Sequence, residues 1–213
     1  RKETDLHQIM TEALYLTSDD LECTARVLSC EQTHEGLWAV VCDRTVFHPQ
    51  GGGQRSDIGR MNNVGVRKVI HTPDAIIHLC EAPLEGEVSM AVDGKTRRLH
   101  SRLHSAGHII GFVGDEYGWH ATKGNHFPGE SRVVFEPQNP EAIQLTEAEV
   151  LQSEVNALIS KKLERRITEI DGLRYVTWGD LRAYPCGGTH VANTEEIGKV
   201  CISKIKMKKG QIT

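Results

Sequence analysis

The chain has 213 residues, of which 38% are hydrophobic and 25% are charged, and its formal net charge at pH 7 is -4. This composition is typical of a globular protein, and the negative charge argues against a protein that coats nucleic acid through bulk electrostatics. No apolar run approaches the roughly 20 residues of a bilayer-spanning helix and no secretory signal is evident, so we predict a cytoplasmic protein.

The N-terminal part of the chain is predicted to be a small β-barrel. The first nine residues, RKETDLHQI, have no convincing periodicity, and we interpret them as a tag remnant or an upstream extension. From about Leu14 to Val92, short segments rich in Val, Ile and Thr alternate with turn signals such as GGGQRSDIG and PLEG. Several short strands at this spacing predict an antiparallel barrel.

The apolar pattern changes at Asp93-Gly94, where we place a domain boundary. From Thr96 onward, apolar residues recur at helical spacing, which predicts a helix from about Lys95 to Val113. A second helix is predicted to begin near Thr146, where the order Thr-Glu-Ala-Glu has the form of a capping box.

Four further segments, SRVVFEP, RRITEIDG, RYVTW and KVCISKIKM, are predicted to be strands. The predicted fold class is therefore α+β. A small antiparallel β-barrel over residues 10–93 is followed by an α+β domain with an antiparallel sheet and helices over residues 94–213.

Six cysteines are scattered along the chain without a C-x-x-C pair, which indicates a reducing compartment and mostly unreactive thiols. Most of them lie beside apolar, strand-like residues, where a small buried hydrophobe is the expected role. Cys186 is the exception, because it stands in the glycine loop YPCGGTHV, four residues before His190.

Three histidines, His100, His104 and His108, recur at four-residue intervals on the predicted helix. Residues four apart lie on one helix face, so either successive pair can converge on one ion. All three cannot, because the outer two are about 12 Å apart along the axis, whereas Zn–N bonds are about 2.0 to 2.1 Å long. The spacing leaves open which outer histidine joins the pair.

The loop that carries Cys186 and His190 favours a metal site. Gly187 and Gly188 permit positive φ, so the thiolate and the imidazole can fold toward one point. Thiolate together with imidazole favours Zn²⁺ over Mg²⁺ or Ca²⁺. We therefore predict that a helical histidine pair and the loop pair bind one zinc ion per chain.

Three motifs in this order, LHSAGHII, CGGTHV and EEIGKV, resemble the editing domain of alanyl-tRNA synthetases and the free-standing editing proteins of the AlaX family. The stretch FHPQGGGQRSDIG is similar to the glycine-rich motif that precedes this domain in the synthetase and in medium-length AlaX proteins. The resemblance runs from about Leu14 to the C-terminus. We expect the free-standing form, because no adenylate-forming catalytic domain is present.

The resemblance implies a hydrolase that removes wrongly attached serine from alanine-specific tRNA, with glycine as a second candidate. It implies that residues 94–213 form a zinc-containing editing domain. The metal ligands that it implies are His104, His108, Cys186 and His190. His100 is then expected to be a neighbour that faces solvent or RNA.

Three residues are candidates for shaping the amino-acid pocket. The segment from Ala121 to Asn125 is similar to the pocket segment of the family, in which many members carry glutamine at the place of Thr122. A threonine hydroxyl both donates and accepts, so it can read a serine side chain. Gln54 and Asp57 of the glycine-rich motif are the other candidates, and a tight turn with a buried hydrogen-bond network is the alternative for that motif.

Two basic clusters are candidates for contacts with tRNA. Arg97, Arg98 and Arg102 lie beside the histidines, and the segment KVCISKIKMKKG contributes Lys206 and Lys208. Each cluster taken alone is typical of a solvated face. Because both flank the predicted site, together they predict a rim that binds phosphates.

Other functions remain open from the sequence. A zinc hydrolase of another ester or amide is one, although a metalloprotease lacks support because Ser105, not Glu, follows His104. A tRNA-binding module with a structural zinc and a threonyl-type editing domain are the others. Four protein ligands usually form a closed site, so the sequence leaves a catalytic or a structural zinc open. We expect a monomer that uses no ATP.

Overall fold

The computed structural model describes residues 10–213, and the predicted tag or extension lies outside them. Chain contacts divide the protein into two compact units. The first comprises the described residues up to Gly51 together with Arg55–Arg97, and the second comprises Gly52–Gln54 together with Arg98–Thr213. Three residues of the glycine-rich motif therefore belong to the second unit.

The first unit contains a closed antiparallel barrel, which confirms the predicted architecture. The strands of this unit are β1 (Glu12–Ala13), β2 (Glu22–Gln32), β3 (Trp38–Cys42), β4 (Arg44–Thr45), β5 (Gly59–Met61), β6 (Val64–His71), β7 (Ile76–Cys80) and β8 (Glu87–Val92). Six of them close the barrel in the order β2-β3-β7-β6-β5-β8. The short strands β1 and β4 form a separate parallel pair.

Apolar side chains that alternate along the strands fill the interior of the barrel. In β8, Val88, Met90 and Val92 are buried, whereas the intervening Ser89 is exposed. Cys80 of β7 is fully buried, and burial raises its thiol pKa to about 12. This thiol therefore packs as a small hydrophobe.

The second half of the chain contains both long helices. Its elements are α1 (Gly94–Glu116), β9 (Trp119–Asn125), β10 (Arg132–Pro137), α2 (Ala148–Ile159), β11 (Arg165–Ile170), β12 (Leu173–Trp178), β13 (Tyr184–Pro185), β14 (Met207–Lys208) and β15 (Gln211–Ile212). The strands form two antiparallel sheets, ordered β14-β15-β10-β9 and β11-β12-β13. Across residues 10–213, neither helix has the length and apolarity needed to cross a membrane.

The first predicted helix is present as α1, and the Asp93 carboxylate accepts a 2.9 Å hydrogen bond from the Thr96 N–H at its start. The predicted capping box of the second helix is wrong. Helix α2 begins at Ala148, and its N-cap, Glu147, makes no side-chain capping bond. Thr146 lies one residue before the N-cap, which is outside the position from which a hydroxyl caps a helix.

The predicted strand over residues 199–207 is also largely wrong, because only Met207–Lys208 is a strand. Side chains of α2 replace the missing strand partner. The Asn156 side chain accepts from the Val200 N–H and donates to the Val200 carbonyl, both at 2.8 Å. The Ile202 N–H donates to Gln152 Oε1 at 2.8 Å. These side chains therefore satisfy three backbone groups of the segment before it reaches the strand at Met207.

Candidate metal centre

Four side chains from two distant segments meet in the second unit. His104 and His108 lie one helical turn apart on α1, and Cys186 and His190 lie in the loop after β13. Their candidate ligand atoms all lie within 4.8 Å of one another. Cys186 Sγ is 3.6 Å from His104 Nε2 and 3.2 Å from His190 Nε2.

Two of the donor separations can be compared with those around a tetrahedral metal ion. Zn–S and Zn–N bonds of about 2.3 Å and about 2.0 to 2.1 Å place a sulfur and a nitrogen ligand roughly 3.6 Å apart in a tetrahedron. The two measured S···N separations, 3.6 and 3.2 Å, are close to this value. One soft thiolate and three imidazoles are a donor set that suits zinc. This cluster could therefore hold a metal ion.

Gly188 permits the close approach of the loop to α1. A side chain at this position would overlap the His104 ring, and its Cβ would lie 2.8 Å from Gln54 Oε1. The positive φ that glycine permits is used at neither Gly187 nor Gly188. Position 188 needs glycine because a side chain there would collide with His104, not because the backbone has a left-handed conformation.

Burial keeps two of the histidines neutral. It lowers the pKa of His108 to about 4 and the pKa of the fully buried His190 well below its ordinary value. Burial raises the pKa of the Cys186 thiol, while the Gly188 N–H and Arg174 act in the opposite direction. Neutral imidazoles are ready metal ligands, and a bound cation lowers the pKa of a coordinating thiol.

The environment of His100 differs from the expectation. Its side chain is only 5% exposed, so the prediction that it faces solvent is wrong. Like His104, which is also buried, it lies on the inward side of α1. The candidate metal cluster in the described chain does not include it.

Asp57 and Arg97 form a buried ion pair in the first unit. Arg97 Nε lies 3.1 and 3.0 Å from the two Asp57 carboxylate oxygens, and its Nη2 donates to the Val46 carbonyl at 2.6 Å. Asp57 Oδ2 also accepts from the His48 N–H at 2.8 Å. The Arg97 side chain is 9% exposed and its guanidinium group is engaged in this ion pair, so its contact with tRNA stays a prediction. Arg98, by contrast, is exposed.

Gln54 lies in the second unit and is fully buried beside His104. Its Oε1 is 2.8 Å from His104 Nδ1, and its Nε2 donates to Thr189 Oγ1 at 2.7 Å. It lines neither of the cavities described below. The buried hydrogen-bond network that the sequence left as an alternative is therefore present at both Gln54 and Asp57.

A cavity of about 230 Å³ borders the metal cluster at His108. Thr122, the predicted pocket residue, lines it. The Thr122 hydroxyl donates to the Val134 carbonyl at 3.3 Å, which leaves its lone pairs as acceptors. Tyr184 also lines it, donates a hydrogen bond from its hydroxyl to Asp115, and has a pKa raised by burial to about 12.

A second cavity of about 530 Å³ has apolar walls and a basic rim. Five basic residues border it: Arg102, Arg132, Lys199, Lys204 and Lys206. None of the residues that line it, all within the described part of the chain, is acidic. The predicted tRNA-binding residues Arg98 and Lys208 lie outside this lining.

His126 is a site residue that the sequence did not single out. Its ring stacks on His104 with centroids 4.4 Å apart, and it lines both cavities. Side chains at Gly107 or Gly124 would collide with the ring. Burial lowers its pKa to about 4, so it is neutral at pH 7. The signal in the sequence was the glycine inside α1, because a mid-helix glycine usually has a packing reason.

Similar proteins share most of this chain. The family model described as threonyl and alanyl tRNA synthetase second additional domain matches residues 173–213, which contain the loop pair. An alanyl-tRNA editing protein AlaX-M from Methanosarcina barkeri is 31% identical over 93% of this chain and 95% of its own length. An AlaX-M protein from Pyrococcus horikoshii is 29% identical over 90% of this chain and 89% of its length.

A longer relative is covered only in part. The alanyl-tRNA editing protein AlaX-L from Pyrococcus horikoshii is 29% identical over 93% of this chain, which spans 55% of the length of that protein.

Proposed function

Because this chain belongs to the AlaX-M family of alanyl-tRNA editing proteins, we propose that it is an aminoacyl-tRNA deacylase that removes serine from mischarged alanine-specific tRNA. The observation that carries the proposal is the cluster of three imidazoles and one thiol beside a cavity that presents a hydroxyl acceptor. Glycine attached to the same tRNA is the second candidate substrate.

We propose zinc as the ion that His104, His108, Cys186 and His190 hold, with one ion per chain. When bound, zinc supplies Lewis acidity to the site. The four residues hold the ion between α1 and the loop, and so fix the wall of the smaller cavity at His108. In this proposal that wall orients the aminoacyl group at the end of the tRNA.

The smaller cavity is proposed to hold the amino-acid side chain. Serine differs from alanine by one hydroxyl, which an apolar synthetic pocket rejects poorly. Thr122 already donates to Val134, so its remaining lone pairs are suited to accept a hydrogen bond from a serine hydroxyl. Alanine would leave that acceptor without a partner, which favours hydrolysis of the serine ester.

The larger cavity is proposed to hold the terminal nucleotides of the tRNA. Its basic rim and its lack of acidic lining residues suit phosphates, although the chain as a whole carries a net charge of -4. Because His126 lines both cavities, the proposal puts the ester bond that joins nucleoside and amino acid beside its ring. Arg98 and Lys208 are proposed as outer phosphate contacts.

The test is a deacylation assay of the purified chain with seryl-, glycyl- and alanyl-tRNA(Ala). We expect seryl-tRNA to be hydrolysed and alanyl-tRNA to survive, and we expect Cys186→Ala to abolish the activity. Mischarged tRNA that is bound but stays intact would indicate a binding module with a structural metal. Preferential hydrolysis of seryl-tRNA(Thr) would indicate a threonyl-type editing domain.

A further inference from the structure

The orientation of the Gln54 side chain is fixed by a backbone donor. Its Oε1 accepts from the Thr189 N–H at 3.0 Å, and its Nε2 donates to Thr189 Oγ1 at 2.7 Å. A backbone N–H can only donate, so the amide atom that faces it is the oxygen. The same oxygen faces His104 Nδ1 at 2.8 Å.

This contact selects one tautomer of His104. An amide oxygen only accepts, so Nδ1 of His104 carries the proton and donates it to Gln54. Nε2 then holds its lone pair, and this is the atom that lies 3.6 Å from Cys186 Sγ. The tautomer that Gln54 requires is thus the one that a metal requires.

The surrounding residues hold the Gln54 amide in place. Thr189 Oγ1 lies 2.7 Å from Ser101 Oγ, which connects the amide to α1 one turn before His104. A Cβ at Gly188 would lie 2.8 Å from Gln54 Oε1, so the loop leaves no room for a different residue there. Gln54 itself is fully buried.

His190 has no equivalent constraint. Its Nδ1 lies 3.0 Å from Ser105 Oγ, which also accepts from the Val191 N–H at 3.1 Å. A hydroxyl both donates and accepts, so Ser105 does not by itself decide which nitrogen of His190 is protonated.

We propose that Gln54 is a positioning residue of the metal centre, which fixes the tautomer and the ring orientation of His104 and so raises the metal affinity of the cluster. The inference rests on the proposed function, in particular on the proposed zinc ligands. It gives the glycine-rich motif a role at the metal, separate from any contact with substrate.

The test measures zinc affinity of the whole chain by competition with a chromophoric chelator, and the Co²⁺ absorption spectrum as a second readout. Gln54→Leu and Gln54→Met remove the acceptor, and we expect each to weaken zinc binding about 10- to 100-fold. Gln54→Glu keeps an acceptor oxygen beside Nδ1, and we expect an affinity within about threefold of the original chain. Gln50→Leu is the matched control, because Gln50 is an exposed glutamine of the same motif.

Folding of each variant is checked by circular dichroism and thermal melting. Zinc affinity of a folded Gln54→Leu or Gln54→Met chain equal to that of Gln50→Leu would overturn the positioning role while leaving the proposed zinc site intact. Loss of affinity in Gln54→Glu equal to the loss in Gln54→Leu would also overturn it. Failure of the unaltered chain to bind zinc would instead overturn the proposed metal centre, and the inference with it.

Discussion

Arg97→Leu is expected to destabilise the barrel unit by about 3 to 5 kcal/mol, because it leaves a buried carboxylate without its cation. The Asp57 side chain is 0% exposed and would retain the His48 N–H, at 2.8 Å, as a hydrogen-bond donor. The Val46 carbonyl would also lose the donor that now lies 2.6 Å away. Solvent cannot replace either contact at such burial.

Urea unfolding followed by hydrogen exchange and mass spectrometry would report the barrel separately from the second unit. With a urea m-value of about 2 kcal/mol/M, the expected loss corresponds to a midpoint shift of roughly 2 M. Arg98→Leu is the control, because the next residue is an exposed arginine, and its expected effect is within about 0.5 kcal/mol. The double variant Asp57→Leu/Arg97→Leu should recover part of the loss.

Two results would refute this reasoning. Equal stability of Arg97→Leu and Arg98→Leu would mean that the ion pair is dispensable. A folded Arg97→Leu chain that loses more tRNA affinity than the Arg98→Leu chain would indicate that Arg97 contacts tRNA.

Three further predictions follow from other parts of the chain. Thr122→Val should lower kcat/KM for seryl-tRNA by about 2- to 13-fold, from a hydrogen bond of about 0.5 to 1.5 kcal/mol, and should spare glycyl-tRNA; equal losses on both substrates would contradict the role of the hydroxyl. His78 has a pKa lowered by burial to about 4, so the unfolded chain binds the extra proton between about pH 6.5 and pH 4 and the barrel loses stability as the pH falls through this range. The loss should approach about 3 kcal/mol in urea unfolding, and a His78→Asn chain with the same pH slope would exclude His78 as its source. Gly107→Ala should displace the His126 ring and reduce deacylation, whereas Gly111→Ala, whose added Cβ would lie 3.7 Å from Ala121 Cβ on the wall of the smaller cavity, should leave that ring in place and reduce deacylation less; equal activity of the two variants would argue against a role for His126.

Elements with a sustained period were predictable from the sequence. The alternation in β8 and the helical spacing of α1 each repeat over several residues, and both elements are present. The segment 199–207 has an alternating pattern too, but Asn156 and Gln152 of α2 bind its backbone. A distant side chain that replaces a strand partner leaves no mark in the local pattern, so the strand prediction failed.

The convergence of the two segments of the candidate metal cluster was predictable from residue types and helical spacing, and the family resemblance selected His104 and His108 as the helical pair. The roles of charged residues were harder to predict from the sequence. Arg97 and Arg98 are neighbours in the sequence, yet one is buried against Asp57 and the other is exposed. The burial of Arg97 depends on Asp57, which lies forty positions away in the chain. Capping boxes were also hard to predict from the local sequence. Asn193 and Glu196 form a capping box, whereas Thr146, where one was predicted, does not.

The oligomeric state and the cytoplasmic location stay predictions, as do the contacts of Arg97, Arg98, Arg102, Lys206 and Lys208 with tRNA.

The second unit is discontinuous along the chain, since it includes Gly52–Gln54 as well as Arg98–Thr213. A gene fragment that begins at Arg98 would encode all four candidate ligands and would still omit the glutamine that faces one of them. A fragment made for engineering must therefore include Gly52–Gln54 again, for example by circular permutation. Only then can its metal affinity be compared with that of the intact protein.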